Sequence, residues 1–292
     1  MNIFENRSAS LLTKHGKEEV IAPILLDALS CKVIHTDGYD TDLLGTFTQE
    51  IPRHGSQLDA ARKKAKLGLG LLKLDIGIAN EGAFTHDPYT GMTSWNNELV
   101  ILIDERHGLE LTGFSGAPAQ NEHIYTSHWE DLIKFADLAL FPSHQLVIKP
   151  TDEYHPKSVK GICNLTDLKN AFEWAKNLSA NGVVYVENDL RAFANPTRME
   201  NIHRATQNLA QKMQSLCPQC QTPGFWVKDI RRGLPCNACG LPTDQEIAKV
   251  WGCIKCDHED LEGMKVLRFA DPSVCHHCNR SEERRVGKEC RS

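Results

Sequence analysis

Eight of the eleven cysteines stand in four Cys-x-x-Cys pairs, Cys217/Cys220, Cys236/Cys239, Cys253/Cys256 and Cys275/Cys278, with 15, 13 and 18 residues between successive pairs. Thiolates two residues apart bend around one ion in a tight knuckle, and two knuckles complete a tetrahedral zinc site. Eight such ligands predict two structural zinc ions. Four thiolates fill the coordination sphere and leave no open position for water, so this chemistry is scaffolding rather than hydrolysis. Spacers of 15 and 18 residues suit hairpin closure. They favour sequential pairing, first pair with second and third with fourth, with the crossed order (first with third, second with fourth) as the alternative. His258, His276 and His277 beside the later knuckles are reserve ligands expected to face solvent.

Activity, if present, must then lie upstream. Thr13-Lys14-His15-Gly16-Lys17 falls between a strand and a helix, where free backbone N–H groups and two lysines offer what a phosphate needs. A helix carries Ala61-Arg62-Lys63-Lys64-Ala65, and Asn80-Glu81-Gly82 closes a strand where a carboxylate could place Mg2+ against phosphate. For each cation group, a solvated face is the plain alternative. Read as one strand, residues 183–193 alternate so that Glu187, Asp189 and Arg191 share a face, able to hold a divalent metal or orient a phosphate. A self-neutralising salt-bridge ladder is the competing account of that face. In the cysteine-rich segment, Lys228, Arg231 and Arg232 beside Phe225 and Trp226 form a basic, aromatic patch suited to nucleic acid or to domain docking.

The elements that would position these groups read as alternating strands and helices. A short strand at SASLL precedes a helix over 18–30, whose Ile21, Ile24, Leu25, Ala28 and Leu29 make one apolar stripe interrupted only by Pro23. Strands follow at CKVIH and LDIGIA with the lysine-rich helix between them, then a hairpin of NELVILID and LELTGF. Further on come a helix at HWEDLIKFADLAL, a strand at HQLVIKP and a helix capped by Thr166 or Asp167. Asn195-Pro196 opens a long helix that runs to the first knuckle. The expected fold class is α/β, a layered mixed sheet with flanking helices plus a C-terminal double zinc ribbon. Its domains are 1–214, 215–280 for the ribbon, and 281–292 as a foreign tail that excludes Cys290 from ligation.

The formal charge is −5, and eight thiolates with two dications take it to −9, so no global field favours nucleic acid. The N-terminus lacks a signal-peptide layout and the apolar runs are too short to span a bilayer, which predicts a cytoplasmic protein that does not enter membranes.

In order, T-x-H-x-K at Thr13 to Lys17, A-x-x-K-A at Ala61 to Ala65 and N-E-G at Asn80 to Gly82 resemble the inosine/xanthosine triphosphate pyrophosphatase superfamily. The first motif is one residue short and has His15 where that superfamily has Asn. The resemblance implies Lys14, Lys17 and Lys64 on phosphates, Glu50 and Glu81 as magnesium ligands, and a nucleotide substrate. Across nearly the whole chain, the T-K-H-G-K-E start, N-P-T-R-M at Asn195 to Met199, G-L-P-C-x-x-C-G at Gly233 to Gly240 and D-P-x-x-C-x-x-C-N at Asp271 to Asn279 resemble an uncharacterised bacterial family, which implies zinc binding alone. The expectation is a zinc protein with Mg2+-dependent nucleotide pyrophosphate hydrolysis. The alternative is a noncatalytic ribbon module that binds nucleic acid or protein.

Overall fold

The computed structural model describes residues 2–39, 55–263 and 269–279. Glu50 and the 281–292 tail with Cys290 lie outside them. The chain divides into two compact units, Met1–Gln211 and Lys212–Ser292. Among the described residues, no helix is long and apolar enough to cross a membrane.

The first unit holds two sheets and is mixed α/β, as the strand and helix alternation predicts. The chain runs β1 (Ser8–Leu12), α1 (Glu18–Leu29), β2 (Lys32–Thr36), α2 (Gln57–Leu72), β3 (Ile76–His86), β4 (Ser94–Asp104) and β5 (Leu109–Pro118). These strands form a five-stranded sheet ordered β2-β1-β3-β4-β5. β1 is parallel to both neighbours, and β3, β4 and β5 form an antiparallel meander. Progression along the sheet reverses at β1, since the chain moves out to β2 and returns past β1 to β3. The carboxyl end of β1, against the middle of β3, therefore borders a switch point, where open α/β sheets bind ligands.

Helix α2 starts with a capping box in which the Ser56 side chain accepts the Asp59 N–H and Asp59 accepts the Ser56 N–H. Its Ala61, Ala65 and Leu69 pack on Ala79, Ile101 and Ile103. Helix α5 (Pro196–Gln214) begins as the sequence predicts, with Asn195 Oδ1 accepting the Arg198 N–H at 3.1 Å. It passes so close to β5 that a Cβ on Gly113 would lie 2.2 Å from the Ala205 carbonyl oxygen.

The second sheet is antiparallel and ordered β6-β9-β7-β8, from β6 (His123–Thr126), β7 (Leu146–Pro150), β8 (Val159–Ile162) and β9 (Val184–Asn188). Helices α3 (Trp129–Leu138) and α4 (Leu165–Leu178) cover one face, burying Leu132, Phe172, Leu146, Ile148, Val184 and Val186. Asn164, two residues before Thr166 and three before Asp167, the expected caps, caps α4 by accepting the Asp167 N–H at 2.9 Å.

In the second unit, β10 (Trp226–Arg232), β11 (Glu246–Gly252) and β12 (Glu259–Gly263) form an antiparallel sheet ordered β10-β11-β12.

Candidate metal centres and a buried charge cluster

Each inter-knuckle spacer whose structure is described contains a single strand rather than a hairpin. The Cys217/Cys220 knuckle precedes β10, and the Cys253/Cys256 knuckle follows β11. Because Trp226 pairs with Gly252, these two knuckles meet at one end of the sheet. The Cys236/Cys239 knuckle lies between β10 and β11 at the other end. There Asn237 N donates to the Ala270 carbonyl and Ala270 N to that of Pro235, tying this knuckle to the segment that leads into Cys275/Cys278. A seven-residue strand spans ~20 Å, which keeps successive knuckles apart. The preferred sequential pairing is thus incorrect. The clusters are Cys217, Cys220, Cys253 and Cys256, and Cys236, Cys239, Cys275 and Cys278.

Both clusters fit a tetrahedral ion. Sulfurs at Zn–S distances of about 2.3 Å lie ~3.8 Å apart. Here Cys217 and Cys256 Sγ are 3.7 Å apart and Cys220 and Cys253 3.5 Å; in the other cluster Cys236 and Cys278 are 3.8 Å apart and Cys239 and Cys275 3.6 Å. Backbone N–H groups of Lys255 and Ala238 donate to the Cys253 and Cys236 sulfurs at 3.3 and 3.4 Å, outer contacts that orient ligands and favour thiolates. Crowding works the other way for Cys278, where the Cys239 thiol first, then burial and the Cys236 and Cys275 thiols, pushes the group up to about 12. Four thiols held this closely ionise together only around a cation. Each cluster can hold a metal ion, consistent with zinc. His276 Nε2 lies 2.7 Å from an Asp244 carboxylate oxygen, outside the clusters.

A second concentration of chemistry lies at the switch point. In the lysine-rich run, Lys63 and Lys66 are exposed while Lys64 is buried, because Ala61, Lys64, Ala65 and Gly68 share the inward face of α2. Lys64 forms an ion pair with Glu81. Asn80-Glu81-Gly82 does not close the strand as expected: pairing with β4 carries β3 on to His86, and Glu81 lies mid-strand, beyond the last β1 partner, Ile78. From the β1–α1 turn, with Gly16 at φ +66°, Lys17 is buried while Lys14 is exposed. Burial first, then the Arg198 and Lys64 charges, pulls the Lys17 ammonium down to about 7 against the opposing influence of Glu81 and Glu98. On the opposite sheet face, Glu98 of β4 accepts from Arg198 Nε at 2.7 Å, Asn80 Nδ2 at 2.9 Å and Asn96 Nδ2 at 3.1 Å. Gly82 is required there, because a Cβ would stand 2.5 Å from both Arg198 Nη2 and Glu98 Oε1.

The model of the family described as a domain of unknown function, DUF6671, matches residues 64–280. The chain belongs to that family. No curated protein matches it.

The DUF6671 match includes Lys64, Glu81, Glu98, Arg198 and all eight paired cysteines, and starts after Lys14 and Lys17. Lys17, Lys64 and Glu81 thus share one electrostatic neighbourhood in this DUF6671 chain. Glu98 joins them without having been singled out, and Arg198, whose place at the helix entry suggests a donor for the Glu187, Asp189 and Arg191 face, pairs with Glu98 instead. Arg198 carried one available signal, its place two residues after the helix-opening Pro196, where side chains sit close to the preceding loop.

Glu187, Asp189 and Arg191 are arranged differently from expectation. Strand β9 ends at Asn188, so the alternation does not reach Asp189 or Arg191. Asp189 accepts the Gly161 N–H at 3.1 Å and is clamped by Arg191, whose Nη2 lies 2.5 Å away. Arg191 in turn stacks 4.7 Å from the Phe193 ring, which lies 5.8 Å from the His15 ring. Glu187 stays on the sheet face with Lys149 Nζ at 3.3 Å. In the ribbon, Lys228 pairs with Glu259. Trp226 packs edge-on against Trp251 at 5.3 Å with Lys212 Nζ 5.8 Å from its ring, while Arg231 and Arg232 are exposed.

Proposed function

We propose that this DUF6671 protein is a phosphate-handling α/β protein braced by two structural zinc ions, and that it hydrolyses nucleotide pyrophosphate bonds with Mg2+. The observation that carries this reading is the Lys64–Glu81 ion pair, with the buried Lys17 ammonium within reach of its charges, beside the carboxyl end of β1 where β3 runs on past its last β1 partner. The arrangement has the right chemistry. Lysines suit phosphate oxygens, and a carboxylate beside the end of β1 suits Mg2+, which prefers one or two protein carboxylates plus substrate phosphates. The Lys64–Glu81 pair is self-neutralised without ligand. A Mg2+-nucleotide offers each partner a new one, phosphate for the ammonium and metal for the carboxylate, so binding need not strand a buried charge. Glu50 is the second candidate magnesium ligand. Lys14 stands at the exposed rim for the outer phosphates.

The test is turnover of a panel of canonical and deaminated nucleoside triphosphates by the zinc-loaded protein, with and without Mg2+, alongside Glu81→Gln. The expected result is Mg2+-dependent release of pyrophosphate that falls at least ~100-fold in Glu81→Gln. No turnover, or turnover indifferent to the substitution, overturns it.

A second reading takes the ribbon as a noncatalytic nucleic-acid module, and the exposed Arg231 and Arg232 favour it. Its mark is salt-sensitive binding of RNA or DNA lost in Trp226→Ala/Arg231→Ala.

A further inference from the structure

Asp189 and Arg191 form a clamp that holds an aromatic ring. Asp189 is 2% exposed; it accepts from Arg191 Nε at 3.0 and 3.1 Å and from Nη2 at 2.5 Å, and its Oδ2 also accepts the Gly161 N–H at 3.1 Å. So fixed, the guanidinium lies 4.7 Å from the centre of the Phe193 ring. Phe193 is nonetheless 45% exposed. It stands in the 3-10 turn Ala192–Ala194, where both alanines are buried, so the backbone sends its one large apolar side chain outward.

The ring stands against the lysine-rich turn between β1 and α1. A Cβ added to Gly16 would lie 3.9 Å from Phe193 Cβ, and the His15 ring is centred 5.8 Å from the Phe193 ring at a tilt of 34°. The turn is itself held in place. Thr13, buried, accepts the His15 N–H through Oγ1 at 3.4 Å, and its carbonyl oxygen is 2.8 Å from His35 Nε2. Lys17, the next residue after Gly16, is buried, so an inward ammonium and an outward ring flank the same glycine, close enough for one nucleotide to touch both. Every nucleobase has a π face that stacks on an aromatic ring, whatever its hydrogen-bonding edge. Arg191 is committed to Asp189 and serves as the backing of that ring rather than as a phosphate ligand.

We infer that Phe193, backed by Arg191 and flanked by His15, is the stacking platform for the base of a nucleotide whose phosphates meet Lys17 and Lys64. It is then the residue by which the site prefers a nucleotide to an inorganic polyphosphate. The inference rests on the phosphate reading of the switch point and adds the part of the substrate that lysines do not distinguish.

The experiment is calorimetric titration of the full-length, zinc-loaded protein, in MgCl2, with α,β-methylene-ATP, whose α–β bridge resists hydrolysis, and separately with inorganic tripolyphosphate. The wild type should bind the nucleotide more tightly. Phe193→Leu, which keeps apolar bulk but has no π face, should weaken nucleotide binding about 10-fold. The same variant should bind tripolyphosphate as the wild type does, which also verifies that the phosphate site is folded, and Phe193→Tyr should restore nucleotide affinity. In proton NMR the adenine resonances should move upfield on binding to the wild type and not to Phe193→Leu. Nucleotide affinity unchanged in Phe193→Leu, or both ligands weakened alike, overturns the platform while the phosphate reading stands. Binding of neither ligand by the wild type overturns both.

Discussion

Arg198 Nε lies 2.7 Å from Glu98 Oε1, with the two side chains 2% and 0% exposed, and this pair joins the first turn of α5 to the middle of the five-stranded sheet. Buried ion pairs contribute little net stability over an apolar replacement, but breaking one leaves a charge without compensation. Arg198→Met should therefore destabilise the first unit by about 3–5 kcal/mol, with Arg198→Met/Glu98→Leu recovering part of the loss. Denaturant midpoints followed by circular dichroism would check this; a single variant as stable as the wild type contradicts it.

Cysteine variants distinguish the two pairings through metal content. Cys217→Ala should retain one metal equivalent. Cys217→Ala/Cys253→Ala should also retain one, because both residues belong to the same cluster. Cys217→Ala/Cys236→Ala should retain none. Sequential pairing would reverse the two double variants, and elemental analysis of the purified proteins reads the difference.

Lys17 makes stability depend on pH. Its folded value of about 7 lies below the ordinary lysine value of 10.5, so between those limits the unfolded chain holds a proton that the folded one lacks. Stability then rises with pH across that window, and below about 7 the full cost of the buried ammonium is present. In thermal melts from pH 6.5 to 9.5, Lys17→Met should be relatively most stabilising at the acid end, its advantage shrinking as pH rises. A wild-type-minus-variant difference that is flat in pH would rule this out.

Gly82 and Gly113 have no room for a methyl group, for different reasons. At Gly82 the obstacles are the Arg198 and Glu98 side chains, and at Gly113 the α5 backbone itself, 2.2 Å from an added Cβ. Gly82→Ala should cost ~1–3 kcal/mol and Gly113→Ala more, because a helix backbone yields less than side-chain termini. Melting temperatures of the two variants give the order.

The clustered cysteines were legible as metal-ligand candidates because cysteine type and two-residue gaps are local properties. Their partnership was not, since 15 residues accommodate either a hairpin or one strand with its approaches, and only sheet register separates the two. Lys64 could be read inward from its spacing with Ala61, Ala65 and Gly68. Glu98 looked like a mere boundary of the apolar run LVILID, and its partner lies 100 residues away. At Asp189 the period-two pattern was carried past the strand end, which the sequence marks only weakly because NDLR continues without glycine or proline.

The crossed clusters interlace along the chain: the first closes only after the second has begun, and the second closes last. Two sequentially paired sites would be separable beads, each transferable to another protein by itself. Here every cut between Cys217 and Cys278 severs at least one cluster, so this ribbon can be inherited, deleted or transplanted only as a whole.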